Sequence, residues 1–332
     1  MARIPPSVAA VRQAVRRAVP PGLVLVACSG GADSLALAAA ARFVASSARP
    51  SSAGSGSVGS GSVGSGSVGL VTVDHGLQPG SDRRALDVAT WAREAGFAPV
   101  EVATVSVAGL PGGPEAAART ARYDALSAVA ARVGAAAVLL GHTRDDQAET
   151  VLLALARGAG PRGLAGMPRR RGIFVRPLLD VGRADTRKAC AALGLVPWED
   201  PHNSDPAFAR SRVRGGALPA LVDALGPAVV ANLARSAEQI AADSAALDAI
   251  AERAYSSDTL DVSDLSGMMR AIRTRVLHGW AKSLGCSGSA LSHRHVEALD
   301  ALVTGWHGQG AVHLPGGIRV ARVRGQLVRV PD

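Results

Sequence analysis

The stretch "LVLVACSGGADSLALAAAARF" (residues 23–43) decides the fold. An apolar run breaks at Ser29-Gly30-Gly31 and resumes beyond Asp33-Ser34 as an alanine-rich block, which is the order strand, glycine turn, helix. Backbone N–H groups in such a turn form a concave nest, and the helix N-terminus adds positive potential, so the turn suits phosphate. Gly30 and Gly31 let phosphate approach the backbone, and Ser29 and Ser34 can donate hydroxyls. Asp33 can hold a Mg²⁺ that bridges a triphosphate. The loop is too short for G-x-x-x-x-G-K-[ST], and the chain has only two lysines, Lys188 and Lys282. A P-loop that transfers the γ-phosphate is therefore excluded. On the hexapeptide alone, a plain Gly-Gly turn is the competing reading.

Working outward, short apolar runs alternate with helical patterns. Strand candidates are residues 23–28, 69–74, 98–105, 135–141 and 172–177, and helical patterns occupy 33–47, 79–96, 114–133, 145–157 and 183–194. This alternation predicts an α/β fold, a Rossmann-like doubly wound parallel sheet that binds ligands at its carboxyl edge near a topological switch point. Between the first helix and second strand lies a repetitive Gly/Ser/Val stretch with too little apolar surface to offset ordering, so 48–68 is expected as a disordered surface loop. Residues 54–59, "GSGSVG", match G-x-G-x-x-G letter for letter, but the match precedes a strand instead of joining strand to helix and is rejected.

After about Gly216 apolar spacings of three, four and seven take over, as in Leu218, Leu221, Val222, Leu225 and then Val229, Leu233, Ile240, Leu247. Further helices are expected over 263–284 and 292–303, with short strands turned at Gly316-Gly317 and Gly325. The expected organisation is a sheet domain over 1–215 and a smaller, mainly helical second domain with a short β end over 216–332. A length of 332 residues suits about two domains.

Hydrophobic residues make up 48% of the chain, yet no apolar run approaches the roughly 18 residues a membrane span needs, so no membrane association is expected. The start, with Val8, Val11, Val15 and Val19, fits an amphipathic helix entering the fold. Three cysteines, Cys28, Cys190 and Cys286, are far apart and form no Cys-x-x-Cys pair, which argues against a disulfide framework or thiolate metal site and for a reducing cytoplasm. The net charge is +9, and residues 162–214 hold eleven Arg or Lys against five Asp or Glu, so a polyanion is the candidate partner. A solvated basic face is the alternative.

Asp145, Asp146 and Glu149 open the helix after the fourth strand, where i,i+3 and i,i+4 spacings place Glu149 beside both aspartates. Thr143-x-x-Asp146 is also a capping-box-like start, and spacing alone does not separate capping from chemistry. Arg210, Arg212 and Arg214 recur every second residue, which on an extended segment aims all three along one side.

The loop resembles the PP-loop of the N-type ATP pyrophosphatases, whose chemistry cleaves between the α- and β-phosphates. Together with "VDHGLQPGSDRRA" (73–85), "AARTARYDAL" (117–126), "GHTRDDQAETVLLALARGAGPRGLAGM" (141–167), "RPLL" (176–179) and "WEDPHNSDPAFARSRVR" (198–214), it closely resembles the tRNA(Ile)-lysidine synthases over roughly residues 20–215. The resemblance implies that ATP adenylylates carbon 2 of the wobble cytidine in a CAU-anticodon isoleucine tRNA. Free L-lysine then displaces AMP, changing the codon read from AUG to AUA and the amino-acid identity from methionine to isoleucine.

It further implies an ATP site of Ser29, Gly30, Gly31, Ala32, Asp33, Ser34, Asp74 and His75, with Mg²⁺ at Asp33. Asp145, Asp146 and Glu149 would attract the lysine ammonium. Asp33, Arg122, His142 and Asp145 would be catalytic, with Arg122 neutralising charge at the α-phosphate and His142 orienting phosphate or a proton. Arg210, Arg212 and Arg214 would contact tRNA or phosphate, and the run Arg169, Arg170, Arg171 is a candidate RNA-backbone loop with a solvated turn as the alternative. Beyond the resemblance, the second domain is expected to contact tRNA through a basic end carrying Arg319, Arg322, Arg324 and Arg329. Family members commonly read Arg-Asn-Arg where this chain has Arg210-Ser211-Arg212. No obligate protein partner is evident. The rivals are an ammonia-dependent NAD synthetase, a tRNA thiolase, which would use the cysteine pairs missing here, and a nucleotide-binding regulatory module without catalysis.

Overall fold

Strand β1 (Val24–Ala27) is apolar along its whole length because both its faces are covered. Val24 and Val26 point to one side, packing with Val8, Val11 and Val15 of α1 (Pro6–Ala18) and Leu37 of α2 (Ala32–Ser47), while Leu25 points to the other, with Val71, Leu126 and Val138. The computed structural model describes residues 3–47, 67–74, 76, 80–105, 114–200, 205–254, 258–288 and 290–331.

The chain continues through β2 (Val68–Asp74), α3 (Ser81–Glu94), β3 (Val100–Thr104), α4 (Pro114–Val133), β4 (Ala137–Leu140) and α5 (Arg144–Ala156). A short α6 (Pro161–Leu164) leads to β5 (Arg170–Arg171), β6 (Phe174–Val175) and α7 (Arg183–Ala192). The sheet order is β3-β2-β1-β4-β6-β5, parallel except for the antiparallel β5–β6 pair. Strand order runs one way from β1 to β3 and the other way from β4 onward, so the switch point lies between β1 and β4. The doubly wound parallel sheet expected from the alternation is therefore present.

Two differences from the sequence reading stand out, one at the start of β2 and one at segment 209–217. Val68 begins β2, and Gly69 belongs to that strand: a Cβ there would lie 2.6 Å from Pro99 O and 2.7 Å from Leu25 Cδ2. Residues 48–66 of the expected disordered loop lie outside the described residues. Segment 209–217, read as extended, is helical: α8 (Ala209–Arg212) runs into a π-helical turn (Val213–Ala217) and then α9 (Leu218–Leu225).

The chain divides into compact units Met1–Glu238 and Gln239–Asp332, within the long α10 (Ala228–Glu252), which is later than the pattern change near 215. The second unit also holds β7 (Leu260–Asp261), α11 (Val262–Ser266), α12 (Arg270–Ser283), α13 (His293–Thr304), β8 (Val312–Leu314), β9 (Ile318–Val323) and β10 (Gln326–Val330). Its antiparallel sheet has order β7-β10-β9-β8, and its core is built on Trp280, Leu277, Leu299, Leu302 and Leu327. No single helix among the described residues is long and apolar enough to cross a membrane.

Candidate active site

The turn after β1 and the start of α5 after β4 flank the switch point, and Gly141 sets how closely they approach. A Cβ at Gly141 would lie 3.1 Å from Ser34 N and 3.2 Å from both C and O of Asp33, so no larger residue fits without moving the glycine turn. Gly30 takes φ 83°, a conformation few side chains tolerate. Its carbonyl accepts from Trp198 N at 2.9 Å, and the Arg84 guanidinium lies 3.3 Å over the Trp198 ring. Ser34 is buried. Its hydroxyl donates to Gly31 O at 2.9 Å and accepts from Ser29 N at 3.2 Å, which ties the turn's two ends together. The first N–H groups of α2 have no carbonyl within their own helix to pair with, which is the donor set an anion needs.

Asp33 projects from the first turn of α2 and accepts a hydrogen bond from the Thr186 hydroxyl of α7. Burial, opposed by the Thr186 bond and reinforced by Asp146, pushes its carboxyl up to about 6. Asp74 ends β2 buried, accepting from Gly76 N at 3.0 Å and from the Ser81 hydroxyl at 2.6 Å, so it holds the turn into α3. His75 lies outside the described residues.

At α5, Thr143 and Asp146 form a reciprocal capping box, with Thr143 N and Oγ1 both 2.8 Å from Asp146 Oδ2. The other oxygen, Oδ1, accepts from Arg183 Nη2 at 2.9 Å and Arg214 Nη2 at 3.2 Å. Capping and a charged cluster therefore coexist on one side chain. Burial alone would raise the Asp146 carboxyl, but Arg183, the Thr143 amide and Arg210 outweigh it and hold the group below its ordinary value.

Glu149 is wholly buried and touches three guanidiniums: Arg214 Nε at 2.8 Å, Arg183 Nη1 at 3.0 Å and Arg210 Nε at 3.1 Å. Asp145 is half-buried and accepts from Arg183 N at 2.7 Å, holding the first residue of α7.

The helical form of 209–217 corrects the expectation for the three arginines. Arg210 and Arg214, four residues apart, share a helix face and both bind Glu149. Arg212 turns elsewhere, donating to Pro206 O and Ala207 O. Arg183 and Thr186 belong to the cluster although sequence reading passed them over. Arg183 lies 3.8 Å from Asp33 as well as within 3.0 Å of Glu149, so it links the glycine turn to the acidic helix. Its signal was only an arginine at a helix start, following "RPLL".

His142 follows β4, its imidazole driven to about 3 by burial; Asp146 opposes this, while Arg176, Arg210 and Arg122 reinforce it. It is neutral at physiological pH, and its buried Nδ1 has no partner among the described residues. Arg122 is exposed on α4 and makes neither hydrogen bond nor ion pair among the described residues. The run 169–171 does not gather at this cluster. Arg169 pairs with Asp180 at 2.7 Å and Glu238 at 2.9 Å, Arg170 Nε donates to Gly172 O, and Arg171 is exposed on β5. In the second unit, Arg322 Nη1 donates to Leu302 O and Arg319 Nη1 to Pro331 O, and Arg324 sits in the β9–β10 turn at φ 48°.

Two family models match the chain, a PP-loop domain over residues 7–221 and a TilS substrate binding domain over residues 260–328. The tRNA(Ile)-lysidine synthase of Salinispora tropica is 60% identical, covering 99% of this chain and 98% of that protein. That of Thermobifida fusca is 52% identical, covering 99% of each. Among solved structures, the U34-tRNA thiolase NcsA of Methanococcus maripaludis, with its [4Fe-4S] cluster, matches with a TM-score of 0.55 at 16% identity, covering 71% of this chain and 80% of that one. That likeness is one of fold.

Proposed function

The chain belongs to the tRNA(Ile)-lysidine synthase family, and from that premise we propose how its residues divide the work. The reaction is a ligation that forms a carbon–nitrogen bond at the expense of ATP. The O2 oxygen of the wobble cytidine attacks the α-phosphorus and pyrophosphate leaves. The side-chain amine of lysine then attacks carbon 2, and AMP departs with that oxygen.

The supporting observation is the meeting of two unlike sites at one switch point. A lysine-free glycine turn built for an anion faces a carboxylate-rich helix start, with Arg183 spanning both. In this reading Ser29, Gly30, Gly31, Ala32 and Ser34 grip the β- and γ-phosphates, and Asp74 with His75 borders the nucleotide. Mg²⁺ usually takes one or two carboxylates and completes its shell with phosphate oxygens and water. The single Asp33 carboxylate at the α2 N-terminus fits that demand; Mg²⁺ there would neutralise the leaving pyrophosphate. Arg122, a cation without a partner among the described residues, screens charge at the α-phosphate. His142 acts as a neutral imidazole, positioning an oxygen or proton through its unpaired Nδ1.

Lysine arrives as an ammonium with a pKa near 10.4 in water and must lose a proton before attack. Of the three carboxylates on α5, Asp145 is the one that is not buried, and it offers the ammonium its first contact. Asp146 and Glu149 are already paired with arginines, so the ammonium reaches them by exchanging with Arg210 or Arg214, which are then free to meet tRNA phosphate. Arg212 and the exposed Arg170 and Arg171 add further RNA contacts, as do the arginines of the C-terminal strands. Cys28, Cys190 and Cys286 are free and buried, which fits a reducing cytoplasm and gives a sulfur-transfer reading no exposed thiol. Incubation with ATP, lysine and a CAU-anticodon isoleucine transcript should yield AMP, pyrophosphate and a tRNA heavier by lysine less one water. Absence of that mass gain at any lysine concentration would refute the reading.

A further inference from the structure

A cleft of about 480 Å³ lies between α1 and the 169–181 segment, outside the cluster at the switch point. Its polar lining comprises Gln13 and Arg17 of α1 with Arg169, Arg170, Arg176 and Asp180, and the rest is alanine, valine and proline. Arg169 and Asp180 are paired with each other, which leaves Arg17, Arg170 and Arg176 as the cleft's net charge. Arg176 is only 4% exposed. It donates to Pro168 O at 2.8 Å and Tyr123 Oη at 3.2 Å, but its buried Nε has no partner and no carboxylate pairs with it among the described residues. A buried guanidinium without a counter-charge is costly, and an anion in the cleft would remove that cost.

We propose that this cleft seats the sugar-phosphate backbone of the RNA substrate beside the wobble nucleotide, with Arg17 and Arg176 as its phosphate-binding groups. The proposal rests on the lysidine-forming reading. Two observations favour a polymer backbone over a free nucleotide. The lining holds no aromatic ring on which a base could stack, and backbone recognition needs only cations and small groups. In addition, β6 pairs with β4 in parallel, Leu139 opposite Val175, so Arg176 leaves the same carboxyl edge as His142, one strand away. An RNA whose cytidine sits at the switch point can continue across β6 into the cleft. A mononucleotide held at the glycine turn cannot do both.

Arg16 and Arg17 are both exposed on α1, but only Arg17 lines the cleft, so each serves as the other's control for net charge. Affinity for the CAU-anticodon transcript would be measured against salt concentration for the full chain, Arg17→Glu and Arg16→Glu, with circular dichroism checking the fold. Arg17→Glu should weaken tRNA binding about tenfold and lower the slope of log affinity on log salt by about one, while Arg16→Glu changes affinity less than about twofold. Equal effects of the two reversals would overturn the cleft assignment. In a parallel arm with ATP alone, loss of ATP affinity in Arg17→Glu with tRNA affinity kept would assign the site to free nucleotide and overturn it as well. A parent protein that binds tRNA but makes no lysidine would instead refute the functional reading.

Discussion

Arg183 Nη1 stands 3.0 Å from Glu149 Oε1, a wholly buried carboxylate that lies 34 residues earlier in the chain. The same guanidinium reaches Asp146 and approaches Asp33, so one planar cation connects the anion-binding turn with the acidic helix. Its fork matches several carboxylates at once, which a lysine ammonium cannot do. Arg183→Lys should therefore lower kcat/KM for both ATP and lysine by roughly 30-fold or more, equivalent to about 2 kcal/mol in the barrier. Steady-state kinetics with each substrate varied in turn checks this, and a loss confined to one substrate would contradict the linking role.

Glu149 and Asp145 should separate by stability. Glu149→Gln leaves three guanidiniums facing an uncharged amide in a dry site, and breaking such a buried pairing costs about 3–5 kcal/mol. Asp145→Asn removes the charge of a half-buried group but keeps an oxygen that can accept from Arg183 N, so it should cost no more than about 1 kcal/mol while raising the KM for lysine more than that for ATP. Denaturant unfolding and lysine titrations give the two readouts; equal stability losses would show that Glu149 is not the anchor of the cluster.

Asp33 supplies a pH signature. Its carboxyl is raised by burial from 3.8 to about 6. A carboxyl that holds its proton more tightly when folded stabilises the fold while protonated, and that contribution fades as pH rises through the folded value. In chelator-containing buffer the parent protein should lose stability relative to Asp33→Asn between about pH 4 and 7, by up to about 3 kcal/mol. A difference that stays flat across that window would contradict the burial of this group.

Gly141→Ala tests the close approach of the two halves. The new Cβ would meet backbone atoms of Asp33 and Ser34 at 3.1–3.2 Å, so the turn must shift by a few tenths of an ångström. ATP affinity should fall by roughly tenfold, about 1.4 kcal/mol, with tRNA affinity unchanged. Isothermal titration of both ligands decides it.

The sheet was legible because parallel strands buried on both faces must be apolar runs, and because the turn after β1 carries its own chemistry in Gly30, Gly31 and Asp33. The acidic start of α5 was legible for the same reason, since Thr143, Asp146 and Glu149 are neighbours in sequence. Arg183 was not, because its partners are brought to it by the crossover from β4 to α7. The Arg210, Arg212, Arg214 run misled because a two-residue repeat suggests a strand, whereas helical packing on α5 selects residues four apart and turns Arg212 away. Segment 209–225 belongs to the first packing unit for that reason, although its apolar spacing already resembles that of the helices beyond it.

The most direct measurement follows the α-phosphorus. With ATP labelled at that atom and lysine withheld, the account requires label to appear on the CAU-anticodon tRNA, and added lysine should move it into AMP as the tRNA gains the amino acid. Label that reaches AMP without ever residing on tRNA, or that stays on tRNA when lysine is supplied, would contradict the joint action of the glycine turn and the acidic cluster on a single activated cytidine.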